Sequence, residues 1–141
     1  MEFYTLHFDG SCGPKNPGGT AAYGFVLTKN GKVLEIGKGV IGQGPEMSNN
    51  LAEHFAVAEG LVCFLKHYKP VKNTFLHIRG DSKLVIKQLN GSWRVKAGLY
   101  YKEAIRAIQL LRQVRDLKVK TNIQWIPRVA NGECDALSKE Y

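Results

Sequence analysis

Four acidic residues stand where chemistry is possible: Asp9 after an apolar run, Glu53 at the margin of a helical apolar arc, Asp81 after "HIRG", and Asp135 in "NGECDALS". Each also has a purely structural explanation. Asp9-Gly10 is an ordinary turn pair, Asp81-Ser82 suits a helix start, and Asn50-x-x-Glu53 resembles a capping box. The macrodipole alone favours an acid such as Asp135 in the first turn of a last helix. Drawn to one point, the four would repel unless a hard cation lay among them. Carboxylate oxygens with room for water and a phosphate suit Mg²⁺. Two such ions about 3.5 to 4 Å apart can activate a water and stabilise the leaving oxygen of a phosphodiester. Spacing alone leaves the convergence open.

The elements around these acids decide whether they can meet. Residues 3–8 and 21–28 read as strands, and Asn30-Gly31 supplies a two-residue hairpin turn into a third strand over "VLEIGKGVI". Leu51, Phe55, Ala58, Val62 and Leu65 then repeat with helical spacing, and residues 73–80 return to a strand. A short helix over "SKLVIKQL" is closed by Asn90-Gly91. A longer one follows Gly98, with Tyr101, Ile105, Ile108 and Leu111 facing in and Lys102, Arg106, Gln109 and Arg112 facing out. Residues 119–125 alternate, with Val119, Thr121, Ile123 and Trp125 on one face, and a last helix fits 132–140. The order is β-β-β-α-β-α-α-β-α, which packs as a mixed sheet with helices on both faces. If the strands preceding Asp9 and Asp81 are parallel neighbours, the two carboxylates converge beyond the strand ends, where open sheets commonly bind ligands.

A length of 141 residues with 44% hydrophobic content is enough for one closed core, so a single domain over 1–141 is expected. No apolar run reaches the roughly 18 residues of a membrane span, and no export signal opens the chain. A soluble, cytoplasmic monomer with no membrane partner is expected. Cys12, Cys63 and Cys134 make no C-x-x-C pair and, being odd in number, suit a reducing compartment. Residues 79–120 hold eleven Lys or Arg against three acids, which accounts for the whole net charge of +8. A solvated helix face and a surface tracking a phosphate backbone both fit that excess.

The segments "FDGSCGPKNPGG", "SNNLAEHFAVAEGL", "RGDSKLVIKQLNGSW" and "WIPRVANGECDALS" resemble, in order, the four signature segments of type 1 ribonuclease H. The similarity spans essentially the whole chain. It implies an α/β, ribonuclease H-like fold: a five-stranded mixed sheet, its first three strands antiparallel, with helices on both faces. It also implies metal-dependent hydrolysis of the RNA strand of RNA/DNA hybrids, leaving 5′-phosphate and 3′-hydroxyl ends. Carried over by position, Asp9, Glu53, Asp81 and Asp135 become a catalytic tetrad for two Mg²⁺ ions, with Mn²⁺ as a substitute. Asn16, Ser48 and Asn50 fall where the family contacts the substrate backbone, with Gly10, Ser11, Cys12 and Asn49 beside them. Ser82 follows the third acid, and Trp93 matches a position that packs against the DNA strand. A reader of the minor groove can require 2′-hydroxyls on one strand and their absence on the other.

Two departures stand out. Better-known members carry a histidine in the loop before the last helix, whereas here that loop is "IPRVANGE" and the histidines are His7, His54, His67 and His77. These four read as structural or surface residues, and Arg128 or Glu133 could partly stand in. The lysine-rich protrusion of some members is also absent, as in the compact archaeal-like branch. Two other readings remain: a hybrid-binding module that no longer cuts, and the same fold with another substrate, as in a junction resolvase or exonuclease of the wider superfamily.

Overall fold

In the computed structural model, which describes residues 1–139, the elements follow the order predicted from periodicity. Strands β1 (Glu2–Gly13), β2 (Thr20–Lys29) and β3 (Lys32–Gln43) form an antiparallel meander. Asn30 and Gly31 turn β2 into β3 with φ of 49° and 84°, the left-handed pair that a tight hairpin requires. On the far side of β1, β4 (Thr74–Gly80) pairs parallel to it, and β5 (Lys120–Trp125) pairs parallel to β4. The sheet order is β3-β2-β1-β4-β5, so β1 is central.

The first strand is longer than expected. It does not stop at Phe8 but runs on to Gly13 along β2, so Asp9 lies within it, opposite Gly24. What ends at Phe8 is the pairing with β4, whose last partner is Gly80. Asp9 and Asp81 are thus the next residues on two parallel strands, at the edge where one neighbour runs out.

Helix α1 (Asn49–His67) lies on one face, capped by Ser48, whose Oγ accepts from the Leu51 N–H at 3.1 Å. Asn50 is inside the first turn, so the expected Asn50–Glu53 capping box does not form. The Glu53 carboxylate is left for other work. Val57, Leu61 and Phe64 of α1 pack on Tyr4, Leu6 and Phe8 of β1 and Leu76 and Ile78 of β4. Alternation along β1 puts Gly10 on this face and Asp9 on the other.

Helix α2 (Lys83–Leu89) starts at Ser82, whose hydroxyl accepts from the Val85 N–H, and ends in a turn with Gly91 at φ 79°. Helix α3 (Tyr101–Asp116) buries Ala104, Ala107, Leu111 and Val114. This face is rotated from the predicted one: Tyr101 is exposed, and Ile105 and Ile108 are half-buried. Two alanines let α3 lie against α1, a closeness that larger inward residues would prevent. In β5 the predicted alternation ends early, with Trp125 exposed at the strand tip. A 3-10 turn over 128–131 leads to α4 (Gly132–Leu137), which packs over Gly24 on the face opposite α1. Residue 140 of the expected last helix lies outside the described residues.

Candidate active site

Three of the four acids meet at the edge where β4 ends. Carboxylate oxygens of Asp9, Glu53 and Asp81 all lie within 4.8 Å of one another. Register supplies Asp9 and Asp81; a close backbone approach supplies Glu53. A β-carbon on Gly10 would collide with the backbone of Ala52 and Glu53, so glycine here lets the first turns of α1 lie directly on β1. The backbone of Gly10, so close to Glu53, favours the charged form of its carboxylate and offsets a little of the cost of burial.

The electrostatics of this edge are unfavourable without a counter-ion. Asp9 and Glu53 are 2% and 8% exposed, and neither Oε2 of Glu53 nor Oδ2 of Asp81 has a hydrogen-bond partner. Burial pushes the Asp9 carboxyl up to about 7, and Asp81 and Asp135 add to the rise against a lowering hydrogen bond with Glu53. Burial, then Asp9, also drives Glu53 well above the carboxylate range. Asp135, half-buried on α4, lies outside that trio but is electrostatically linked to Asp9. Burial raises its carboxyl too, but Asp9 and the Lys139 ammonium, 3.2 Å away, hold it below its ordinary value. The guanidinium of Arg128, on an exposed side chain, comes within 3.5 Å of Asp81. Buried all-oxygen donors, two of the oxygens without a hydrogen-bond partner and the cations that pair with the acids on the exposed side chains of Arg128 and Lys139, are a fit for a divalent hard cation.

Two further site residues lie inside "WIPRVANGECDALS", where the resemblance assigns them no role. Asn131 is buried, donates from Nδ2 to the Phe8 carbonyl at 2.8 Å, and so ties the 3-10 turn before Asp135 to the strand carrying Asp9. Trp125 donates from Nε1 to the Asp81 carbonyl at 3.1 Å, with Lys83 over its ring. The loop without a histidine does face one. His7 on β1 lines a cleft of about 140 Å³ with Ala130, Asn131, Glu133 and Cys134.

The residues matched to substrate contacts fall into groups around the acids. Asn16 Oδ1 accepts from the Asn49 N–H at 2.9 Å, and Asn16, Ser48, Asn49 and Asn50 line a cleft of about 310 Å³. Gly10 is buried beneath α1. Ser11 donates to the Ser138 carbonyl at 2.5 Å, and Cys12 Sγ contacts the Lys15 carbonyl at 3.2 Å. Ser82 is occupied as the α2 cap. Trp93 is exposed in the loop after α2, in a cleft of about 460 Å³ with Ser92, Arg94, Lys96 and Tyr100.

That loop is tied to the acids through buried polar contacts. His54, next to Glu53, donates from Nδ1 to the Asn50 carbonyl at 2.6 Å, is hydrogen-bonded through Nε2 to Gln88 Oε1 at 2.7 Å, and stacks on Tyr100. Gln88 Nε2 in turn donates to the Arg94 carbonyl at 3.1 Å. In the basic segment, by contrast, several side chains are engaged within the fold. Arg106 is engaged by Glu59 and Glu103 and covers Phe55, Arg115 binds Thr121, and Lys120 covers Phe75. Lys87 and Arg94 remain exposed beside Trp93.

A family model described as reverse transcriptase-like matches residues 7–141. The chain is 33% identical over 135 residues to the ribonuclease HI of Halobacterium salinarum, covering 95% of this chain and 61% of that protein. It is 33% identical over 127 residues to the bifunctional protein Rv2228c of Mycobacterium tuberculosis, but spans only 32% of that protein's length. The solved N-terminal RNase H domain of Rv2228c superposes with a TM-score of 0.80 at 30% identity, over 97% of this chain and 91% of that one. The H. salinarum RNase H1 structure gives 0.77 at 30% identity, over 96% and 93%.

Proposed function

Because this chain belongs to the type 1 ribonuclease H family, we propose that it is an endonuclease that hydrolyses the RNA strand of RNA/DNA hybrids with divalent ions held by Asp9, Glu53, Asp81 and Asp135. The convergence of Asp9, Glu53 and Asp81, with one buried oxygen each of Glu53 and Asp81 lacking a hydrogen-bond partner, is the observation that carries this reading. When bound, two such ions supply an activated water and charge stabilisation at the leaving oxygen. Mg²⁺ is the proposed occupant and Mn²⁺ a substitute, since the donors are all oxygens. The products would be 5′-phosphate and 3′-hydroxyl ends.

The chain's own residues would hold and orient the hybrid. Asn16, Ser48, Asn49 and Asn50 present amide and hydroxyl groups beside the acids, suited to the RNA backbone and its 2′-hydroxyls. The backbone of Gly10, Ser11 and Cys12 continues that edge, and Ser82 fixes the α2 end next to Asp81. Trp93 offers a flat face to the DNA strand. Arg128, 3.5 Å from Asp81, is placed to meet a phosphate leaving the centre. We read the protein as one cytoplasmic, monomeric domain over residues 1–141; among the described residues no helix is long and apolar enough to cross a membrane.

Cleavage assays on end-labelled hybrid, duplex RNA, duplex DNA and branched DNA, each with Mg²⁺, Mn²⁺ or chelator, test this function. Only the RNA strand of the hybrid should be cut, and chelator should stop it. Preferential cutting of branched DNA, or binding of hybrid without cleavage, would replace the reading with one of its two rivals. Replacing Lys87 and Arg94 together should weaken hybrid binding and flatten its dependence on log salt by roughly 0.7 to 0.9 unit for each phosphate no longer neutralised. An unchanged slope would place the grip on another face.

A further inference from the structure

Glu35, Cys63 and His67 form a second cluster of metal-ligating side chains, remote from the carboxylate centre. Cys63 and His67 are one turn apart on α1 and project from the same face, and β3 brings Glu35 against them. One donor atom from each lies within 4.8 Å of the other two. Glu35 is the hub: its Oε1 is 2.9 Å from His67 Nε2, and its carboxylate lies within 4.8 Å of the Cys63 sulfur.

These donors differ in kind from the active-site acids. A thiol sulfur, an imidazole nitrogen and a carboxylate oxygen are a Zn²⁺ set, whereas Mg²⁺ takes oxygens and keeps much of its water. A tetrahedral ion with bonds of about 2.0 to 2.3 Å holds its donors roughly 3.3 to 3.7 Å apart. From an upper limit of 4.8 Å the donors would draw together by about 1.5 Å at most, and the His67–Glu35 pair, now 2.9 Å, would open slightly. A cleft of about 330 Å³ bordered by Glu35, Cys63 and Lys66 leaves space for water as a fourth ligand. The competing ammonium of Lys66 sits 3.5 Å from Glu35 Oε1, on a side chain 69% exposed that can turn to solvent.

We propose that Glu35, Cys63 and His67 bind one Zn²⁺, or an ion of similar softness, which clips β3 to α1. The sheet holds β3 on one side only, through β2, so a clip there acts where pairing is weakest. Glu53 is ten residues away on α1, about 15 Å along the axis at about 1.5 Å per residue, so the site stands whether or not the nuclease reading does.

Co²⁺ titrated into the full chain, with excess Mg²⁺ present, tests it by absorbance. A thiolate-to-cobalt charge-transfer band should saturate at one ion per chain, and an equivalent of Zn²⁺ should bleach it. Cys63→Ser should abolish the band. Glu35→Gln should weaken cobalt binding at least about tenfold, the effect expected when a supporting ligand is removed. Zn²⁺ at about 100 times its Kd should raise Tm by about 5 °C or more in the wild type and leave Cys63→Ser unmoved. Absence of a band in the wild type, or a band that survives Cys63→Ser, overturns the proposal. Should Cys63→Ser not fold, Glu35→Gln decides, and wild-type affinity in that variant overturns it. The readout is optical, so loss of hybrid cleavage has no bearing on it.

Discussion

Asp9→Asn is expected to cut hybrid cleavage by about 10³-fold or more, as for other members of a group acting as a unit, and yet to melt higher than the wild type without metal. Asparagine keeps the shape and can still donate to Glu53, but it carries no charge. The aspartate does, in a site that is 2% exposed and faces other acids. Its carboxyl is raised from 3.8 to about 7 in the folded chain. Between those values the folded protein holds a proton that the unfolded chain has released, so stability falls as pH rises from about 4 to 7. Above pH 7 the full penalty applies, with an upper bound of about 4 kcal/mol at about 1.4 kcal/mol per pKa unit. The gap in Tm between variant and wild type should therefore widen across that window and level off above it. Saturating Mg²⁺ should close it by stabilising only the wild type. Melts in chelator at several pH values, repeated with Mg²⁺, measure all of this. A variant less stable than wild type at pH 8 without metal would mean that the acid carries no such strain.

Gly10→Ala should fail differently, losing activity and stability together. Its β-carbon meets backbone on α1 rather than the tip of a movable side chain, so the helix itself must shift. Overpacking of this kind costs about 1 to 3 kcal/mol or more, or roughly 2 to 10 °C in Tm at this chain length. Displacing the first turn carries Glu53 away from Asp9 and Asp81. A misplacement of about 1 Å is enough to cost on the order of 10²-fold in rate. Thermal melts and a Mg²⁺ titration of cleavage check both halves, and wild-type behaviour in both would show that α1 does not depend on this contact.

The sequence was most informative where local rules act alone. Periodicity gave the order of elements, Asn30-Gly31 gave the hairpin, and Asp9 and Asp81 could be matched to two strand ends. Whether those strands were parallel neighbours was not legible, because pairing between residues some seventy positions apart leaves no local trace. Glu53 was suspected from its place on the helical wheel, but its approach to Asp9 depends on the missing side chain of Gly10. The strand around Asp9 was read too short because only one of its two partners stops there. The basic segment was legible only as a charge excess: a charge count cannot tell Arg106, held by Glu59 and Glu103, from Arg94, left in solvent. Ala104 and Ala107 turned α3 away from its most hydrophobic face, since close packing on α1 outweighed burying Tyr101.

The chain from His54 through Gln88 to the Arg94 carbonyl has a mechanical consequence. Residues 90–100 contain no helix or strand, and a segment of that kind would ordinarily open on its own, far more often than the helices it joins. Here the Gln88 amide and the stacked Tyr100 ring fasten it to the residue beside Glu53. Amide protons in that loop should therefore exchange with solvent in step with the first turns of α1. A hybrid leaning on Trp93, under the proposed function, would push on the same unit that carries Glu53.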